Sequence, residues 1–133
     1  MDIVLGNLDA QRDWGHARDY VRAMHLMMTQ SRPKDYVIAT GITHSVRDVL
    51  TTAFSHVNLE YQQYVQNDPR YMRPSDVPIL CGDSSKARKE LGWEPTVTFE
   101  DMIKEMVDFD LFRYNVDPLR YFLSGGEDAA ANR

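Results

Sequence analysis

The sequence predicts an α/β domain of α+β-like character, mainly helical with a few short strands. The helical part rests on stretches with apolar residues at helical spacing, bounded by capping and stop residues. The strand part rests on short β-branched or aromatic runs closed by glycine or by Asn/Asp/Pro turns. The 133 residues suit one domain, with 43% hydrophobic residues for a core and 26% charged ones. A domain of this size buries roughly two-thirds of its unfolded surface.

Residues 3–8 (Ile3, Val4, Leu5, Gly6, Asn7, Leu8) read as a short strand ending in a turn. Asp9 and Asp13-Trp14-Gly15 supply turn chemistry, because Asp bonds its own backbone and Gly relaxes φ. This places Arg12 in a turn at the mouth of a helix running from about His16 to Gln30. Ala17, Val21, Met24 and Met28 mark one face of that helix, the methionines reading as core packing, and Pro33 stops it.

Tyr36-Val37-Ile38-Ala39-Thr40, closed by Gly41, lacks alternation and reads as a strand covered on both faces, as in a parallel sheet. Such a strand needs partners that this sequence does not supply, so the chain is expected to pair with another copy, to pair with a separate polypeptide, or to rearrange. Ser45 and Asp48 form a capping box for the next helix, whose stripe is Val46, Val49, Leu50, Ala53, Phe54 and Val57.

Leu59 to Val65 alternates and predicts a strand, Asn67-Asp68-Pro69 turns the chain, and Arg70 to Arg73 is extended because Arg73 precedes Pro74. Asp83 or Ser84 caps a short basic helix ending at Leu91-Gly92, with Lys86, Arg88 and Lys89 as a solvated face. Thr98, with Asp101 at the box position, caps the last helix, whose buried face is Phe99, Met102, Ile103, Met106 and Val107. The domain expectation is therefore 1–123, followed by a tail over 124–133 with nothing to bury and expected to be disordered.

Composition narrows the function classes. A net charge of −5 disfavours non-specific nucleic-acid binding, which needs a basic face. No apolar run approaches the roughly 20 residues that span a bilayer, and no signal-peptide pattern opens the chain, so a cytoplasmic protein is expected. Cys81 is the only cysteine, which rules out an internal disulfide, and it reads as a small buried thiol. His16, His25, His44 and His56 are scattered without companions at ligand spacing, so no metal site is expected.

At Arg12-Asp13-Trp14 and Arg73-Pro74 the sequence resembles the carboxyl-terminal part of extended short-chain dehydrogenase/reductases. The word Leu5-Gly6-Asn7-Leu8-Asp9-Ala10-Gln11-Arg12-Asp13-Trp14-Gly15-His16-Ala17 resembles the GDP-mannose 4,6-dehydratase family. So do Val37-Ile38-Ala39-Thr40-Gly41 followed by His44-Ser45-Val46, and Asp68-Pro69-Arg70-Tyr71. Gly82-Asp83-Ser84-Ser85-Lys86-Ala87 with Leu91-Gly92-Trp93 is a word of the wider superfamily, and the resemblance covers about residues 3–112. It implies the substrate-binding portion of such an enzyme without its Rossmann core.

Alone, Arg12 reads as a cation pairing with Asp13 or another carboxylate, and Arg73 as an edge-strand cation. The resemblance assigns both to the diphosphate of a nucleotide sugar such as GDP-mannose, facing it from opposite sides. Arginine suits that task because it stays charged and bonds in a fork. Asn7, Asp9, Tyr71 and Asp76 are further candidates for nucleotide or sugar contacts.

The family's catalytic words are missing. No tyrosine has a lysine four positions on, and no Gly-x-Gly-x-x-Gly occurs. The connection from Val57 to Asp68 is also shorter than is usual in the family. The expectation is a chain with no catalytic residues and no bound cofactor of its own, inactive alone, NADP being implied for a complete family enzyme (a lyase). A Rossmann-domain partner or self-association would accompany it. An oligomerising or regulatory module, or an epimerase or reductase part for another nucleotide sugar, are the alternatives.

Overall fold

The computed structural model describes residues 2–73, 75 and 77–114. Pro74, the candidate Asp76 and the tail over 124–133 lie outside the described residues. In chain order the elements are β1 (Ile3–Leu5), β2 (Gln11–Arg12), α1 (Ala17–Met28), β3 (His44–Ser45) and α2 (Val46–His56). They continue with β4 (Val65–Asn67), β5 (Ile79–Leu80), α3 (Ser85–Leu91) and α4 (Phe99–Arg113), plus 3-10 turns at Tyr61–Gln63 and Pro69–Tyr71. This is the mixed, mainly helical architecture with short strands that the sequence predicts. No helix among the described residues is long and apolar enough to cross a membrane.

The chain divides into two compact units: Met1–Asp9, Val46–Asp76 and Ile103–Arg133 form one, Ala10–Ser45 and Val77–Met102 the other. In the first, β1 and β4 pair in parallel with Ile3 opposite Val65 and Leu5 opposite Asn67. The expected α2 stripe is present, with Leu50 and Val57 buried and Val46, Val49, Ala53 and Phe54 half-buried. The strand expected over Leu59–Val65 starts only at Val65. Upstream, Gln63 N–H donates to the Glu60 carbonyl and Tyr64 N–H to that of Tyr61, which curls the backbone before it meets β1. Arg70 and Tyr71 are not extended either. Asp68 accepts from Arg70 N–H with Pro69 in the first turn, and extension begins at Met72.

In the second unit, β2 lies between β3, antiparallel, and β5, parallel. Arg12 therefore sits on a middle strand rather than in the expected turn. α1 has the expected bounds, its first turn capped by the His16 ring nitrogen Nδ1, which accepts from Arg18 N–H. Its buried face is another one. Val21, Met24 and Met28 are 61%, 60% and 85% exposed, while Asp19 and Ala23 are buried. The core contains Ala23, Ala87, Leu91 and Trp93, with Tyr20, Leu26, Met27, Tyr36 and Ile38 against it. Asp19 sets this rotation, because its carboxylate accepts from Thr96 N–H, Thr96 Oγ1–H and Val97 N–H, and its backbone carbonyl from the Trp93 indole.

Tyr36–Thr40 is not a strand. Side chains hold it instead. Tyr36 O–H and Lys34 Nζ bond Glu90 at 3.0 and 2.8 Å, and Lys86 Nζ bonds the Asp35 carbonyl at 2.8 Å. Arg88 donates to the Thr40 carbonyl and to Ser84 Oγ, so the basic side of α3 ties down this segment rather than only meeting solvent. The α4 capping box forms as expected, with Thr98 Oγ1–H donating to Asp101 and Asp101 N–H donating back. Phe99, Met102 and Ile103 are buried and Val107 half-buried, but Met106 is exposed.

Candidate functional site

Arg12 begins as one residue of a two-residue strand, and its guanidinium is steered by the neighbouring strand's lead-in. NH1 donates to the Gln11 carbonyl at 2.7 Å and to the Val77 carbonyl at 2.8 Å. The half-buried side chain lines an open cavity of about 410 Å³ with Tyr20, Val37, Leu80 and Cys81. Cys81 is exposed there, not buried as the sequence suggests, because β5 presents Ile79 and Leu80 to solvent and Cys81 continues that exposed run. Burial, together with the Asp13 and Asp19 charges, pushes the Tyr20 hydroxyl above its ordinary pKa.

Asp13 does not spend itself on a local turn. One oxygen accepts from Thr40 N–H at 2.8 Å and Thr40 Oγ1–H at 2.7 Å, the other from Gly41 N–H at 2.9 Å and Gly82 N–H at 3.2 Å. Burial pushes the carboxyl up. The Thr40 hydroxyl and the amides of Thr40, Gly41 and Gly82 outweigh it, so the group stays below the usual carboxylate range. The close approach requires glycine at position 82, where a Cβ would lie 2.3 Å from the Ala39 methyl.

The other unit gathers Asn7, Asp9, Tyr71 and Arg73 from two distant stretches of chain. Asn7 Oδ1 accepts from Asp9 N–H at 3.0 Å, forming a tight side-chain turn after β1. That turn starts at Gly6, packed so closely on the Tyr71 backbone that a Cβ would lie 2.4 Å from its carbonyl oxygen. The Tyr71 side chain is exposed, and so is Arg73, which makes no ion pair among the described residues. The Asp9 carboxylate is engaged: Arg47 Nε and NH2 bond its Oδ1 at 3.1 and 2.9 Å, and Arg47 NH1 donates to the Tyr61 hydroxyl.

Sequence reasoning missed Arg47 and the reach of Asp13. Arg47 directly follows the word His44-Ser45-Val46, and its position in the first turn of α2 was the available signal. Asp13 stands inside the Arg12-Asp13-Trp14 word. No group of His, Cys, Asp and Glu capable of holding a metal occurs among the described residues.

Neither Gly15 nor Gly82, each shortly before a helix, offers the open backbone that a cofactor pyrophosphate takes. A pyrophosphate needs open backbone at a glycine-rich helix start. Gly15, before α1, faces the Tyr20 hydroxyl, 2.2 Å from where a Cβ would stand, and Gly82, before α3, faces the Ala39 methyl. Cofactor chemistry is therefore not assigned to these residues.

The GDP-mannose 4,6 dehydratase family model matches residues 1–106. GDP-mannose 4,6 dehydratase 1 of Arabidopsis thaliana is 50% identical over 109 residues, covering 82% of this chain and 30% of that protein. The Drosophila melanogaster GDP-mannose 4,6 dehydratase is 45% identical over 130 residues, covering 84% of this chain and 33% of its own length. The chain thus spans about a third of these relatives.

Among solved structures, a UDP-glucose 4-epimerase of Thermotoga maritima with UDP-glucose matches at TM-score 0.73 and 27% identity, over 87% of this chain and 36% of that one. A dTDP-glucose 4,6-dehydratase of Bacillus anthracis in complex with NAD matches at TM-score 0.75 and 19% identity, over 86% and 36%, which speaks to fold alone. The fold is thus that of part of an extended short-chain dehydrogenase/reductase. With the family model matched over residues 1–106, the chain belongs to the GDP-mannose 4,6-dehydratase family.

Proposed function

We propose that residues 1–123 bind the nucleotide-sugar substrate of a GDP-mannose 4,6-dehydratase, with Arg12 and Arg73 supplying guanidinium groups to its diphosphate. Asn7, Asp9, Tyr71 and Asp76 take lesser roles toward the nucleotide or sugar. The observation that carries this is the placement of Arg12: a permanently charged fork anchored by two backbone carbonyls at an open cavity. The elimination step and NADP belong to residues outside this chain, so the purified chain forms no keto-deoxy sugar nucleotide. The protein works in the cytoplasm.

Two charged hydrogen bonds contribute about 1.5–3 kcal/mol each. Lost rigid-body freedom costs roughly 4–15 kcal/mol. The two contacts leave little surplus unless a pocket also closes around the guanine, so GDP-mannose binding by the chain alone is expected to be weak, about millimolar with that pocket. Titrating the labelled chain with GDP-mannose in an amide NMR spectrum tests the reading. Saturable shifts near Arg12 and Arg73 are expected. Dispersed peaks that ignore the ligand would overturn it. Competition between GDP-mannose and UDP-glucose in the same titration separates this substrate from that of a related epimerase.

A second reading, an interaction module docking on a Rossmann-type domain or on another copy, is supported by exposed apolar side chains. Val21, Met24, Met28, Val37, Ile79 and Leu80 of one unit all face solvent. Isolated exposed apolar residues are ordinary, but this many in so small a unit suits a partner. Sedimentation of the pure chain, and of the chain mixed with a family Rossmann domain, tests it. A strict monomer in both would count against it.

A further inference from the structure

We infer that Asp13 is a positioning residue for Arg12, acting through the two strands that flank β2; the inference rests on the diphosphate-binding reading above. The strands of this sheet have two residues each, so few ladder bonds fix their register. Arg12 is opposite His44 on one side and Leu80 on the other. One residue beyond Arg12, Asp13 holds Thr40 and Gly41, which lead toward β3, and Gly82, which follows β5. One carboxylate thus clamps both neighbours of the strand that carries Arg12.

The consequence reaches the guanidinium. Arg12 NH1 is held by the Val77 carbonyl, and Gln11 N–H by the Pro78 carbonyl, both on the segment leading into β5. The Gly82 bond secures the other end of that segment. Releasing it frees β5, and the carbonyl that aims Arg12 moves with it. Only a carboxylate serves here, because both oxygens face donors. An amide would turn its NH2 toward the N–H groups of Gly41 and Gly82, or of Thr40.

The test compares the full chain with Asp13→Asn, reading two things: exchange of the Arg12 NH1 protons, and affinity for GDP from amide shifts. Asp13→Asn is expected to speed Arg12 NH1 proton exchange and to weaken GDP binding about tenfold. In an Arg12→Lys background the same change is expected to cost less than about twofold, since the two residues act as one unit. A purely structural Asp13 would give equal losses in both backgrounds and unaltered Arg12 NH1 protons, and either result overturns the inference. Should Asp13→Asn not fold, Thr40→Val removes one donor to the carboxylate and is expected to move both readouts the same way, less far. Unchanged readouts there would also overturn it. If the wild-type chain ignores GDP, the diphosphate reading fails, while the Arg12 NH1 protons still decide on Asp13.

Discussion

The Trp93 indole N–H donates to the Asp19 backbone carbonyl at 2.8 Å, and both side chains are withdrawn from solvent. The same residue's carboxylate takes the Thr96 and Val97 amides, so one position on α1 holds the chain from 93 to 97. Trp93→Phe removes the donor and leaves space, and Asp19→Ala orphans two part-buried amides. Each is expected to destabilise the chain by about 2–4 kcal/mol. Urea denaturation followed by far-UV dichroism measures the change.

Acid should unfold this protein through Asp13 and Asp19. Burial raises the Asp19 carboxyl, but the Thr96 hydroxyl, the Thr96 and Val97 amides and Arg22 outweigh it, leaving it below its ordinary value, as is Asp13. A carboxyl lowered by folding binds fewer protons in the native state than in the unfolded one. Its stabilisation is therefore complete above the unfolded value of about 3.9 and fades as pH falls through the native one. Melting temperatures are expected to be level above about pH 5 and to drop steeply below about pH 4. The step should shrink in Asp13→Asn.

Glycine substitutions should separate crowding from backbone strain. At Gly82 a Cβ meets the Ala39 methyl at 2.3 Å, so Gly82→Ala must displace packed backbone and is expected to cost about 1–3 kcal/mol. At Gly92 the space is open but φ is +62° at the end of α3, so Gly92→Ala pays only for the left-handed conformation, about 1 kcal/mol. Thermal melts of the two variants check the order.

Arg12→Lys and Arg73→Lys keep the charge but lose the fork, and each is expected to weaken GDP-mannose binding about tenfold. Arg70→Ala is the control. That side chain is largely exposed and bonded to Asp68, two residues away, and its loss is expected to leave affinity unchanged. Amide-shift titrations read all three.

Met24→Glu places a charge on the exposed side of α1 and is expected to leave stability within about 0.5 kcal/mol of wild type. If that side docks a partner, the same change abolishes association in sedimentation. A loss of stability in the isolated chain would show instead that Met24 packs against this chain's own core.

Much of the local architecture was legible. The α2 stripe through Leu50 and Val57, the Thr98–Asp101 box and the end of the basic helix at Gly92 each depend on residues a few positions apart, and all stand as read. The membership of the chain in its family was legible for a similar reason, since long words such as Leu5 to Ala17 carry it residue by residue. The side of α1 that is buried was not. Its apolar period points to Val21, Met24 and Met28, but Asp19 bonds a segment some 77 residues downstream and turns that side to solvent. For Tyr36–Thr40 the composition is that of a strand, yet a strand exists only where another backbone accepts its hydrogen bonds.

The candidate site divides along the same line. Arg12, Arg73, Asn7, Asp9 and Tyr71 were nameable from the sequence because charge type and word context travel with the residue. Tertiary structure alone decided that Arg12 lies on a middle strand, that Asp9 is engaged by Arg47, and that Asp13 joins Thr40, Gly41 and Gly82. Caps and periods are settled by neighbours within a turn or two of the chain. A carboxylate chooses among donors tens of residues away, and folding is what brings them within its reach.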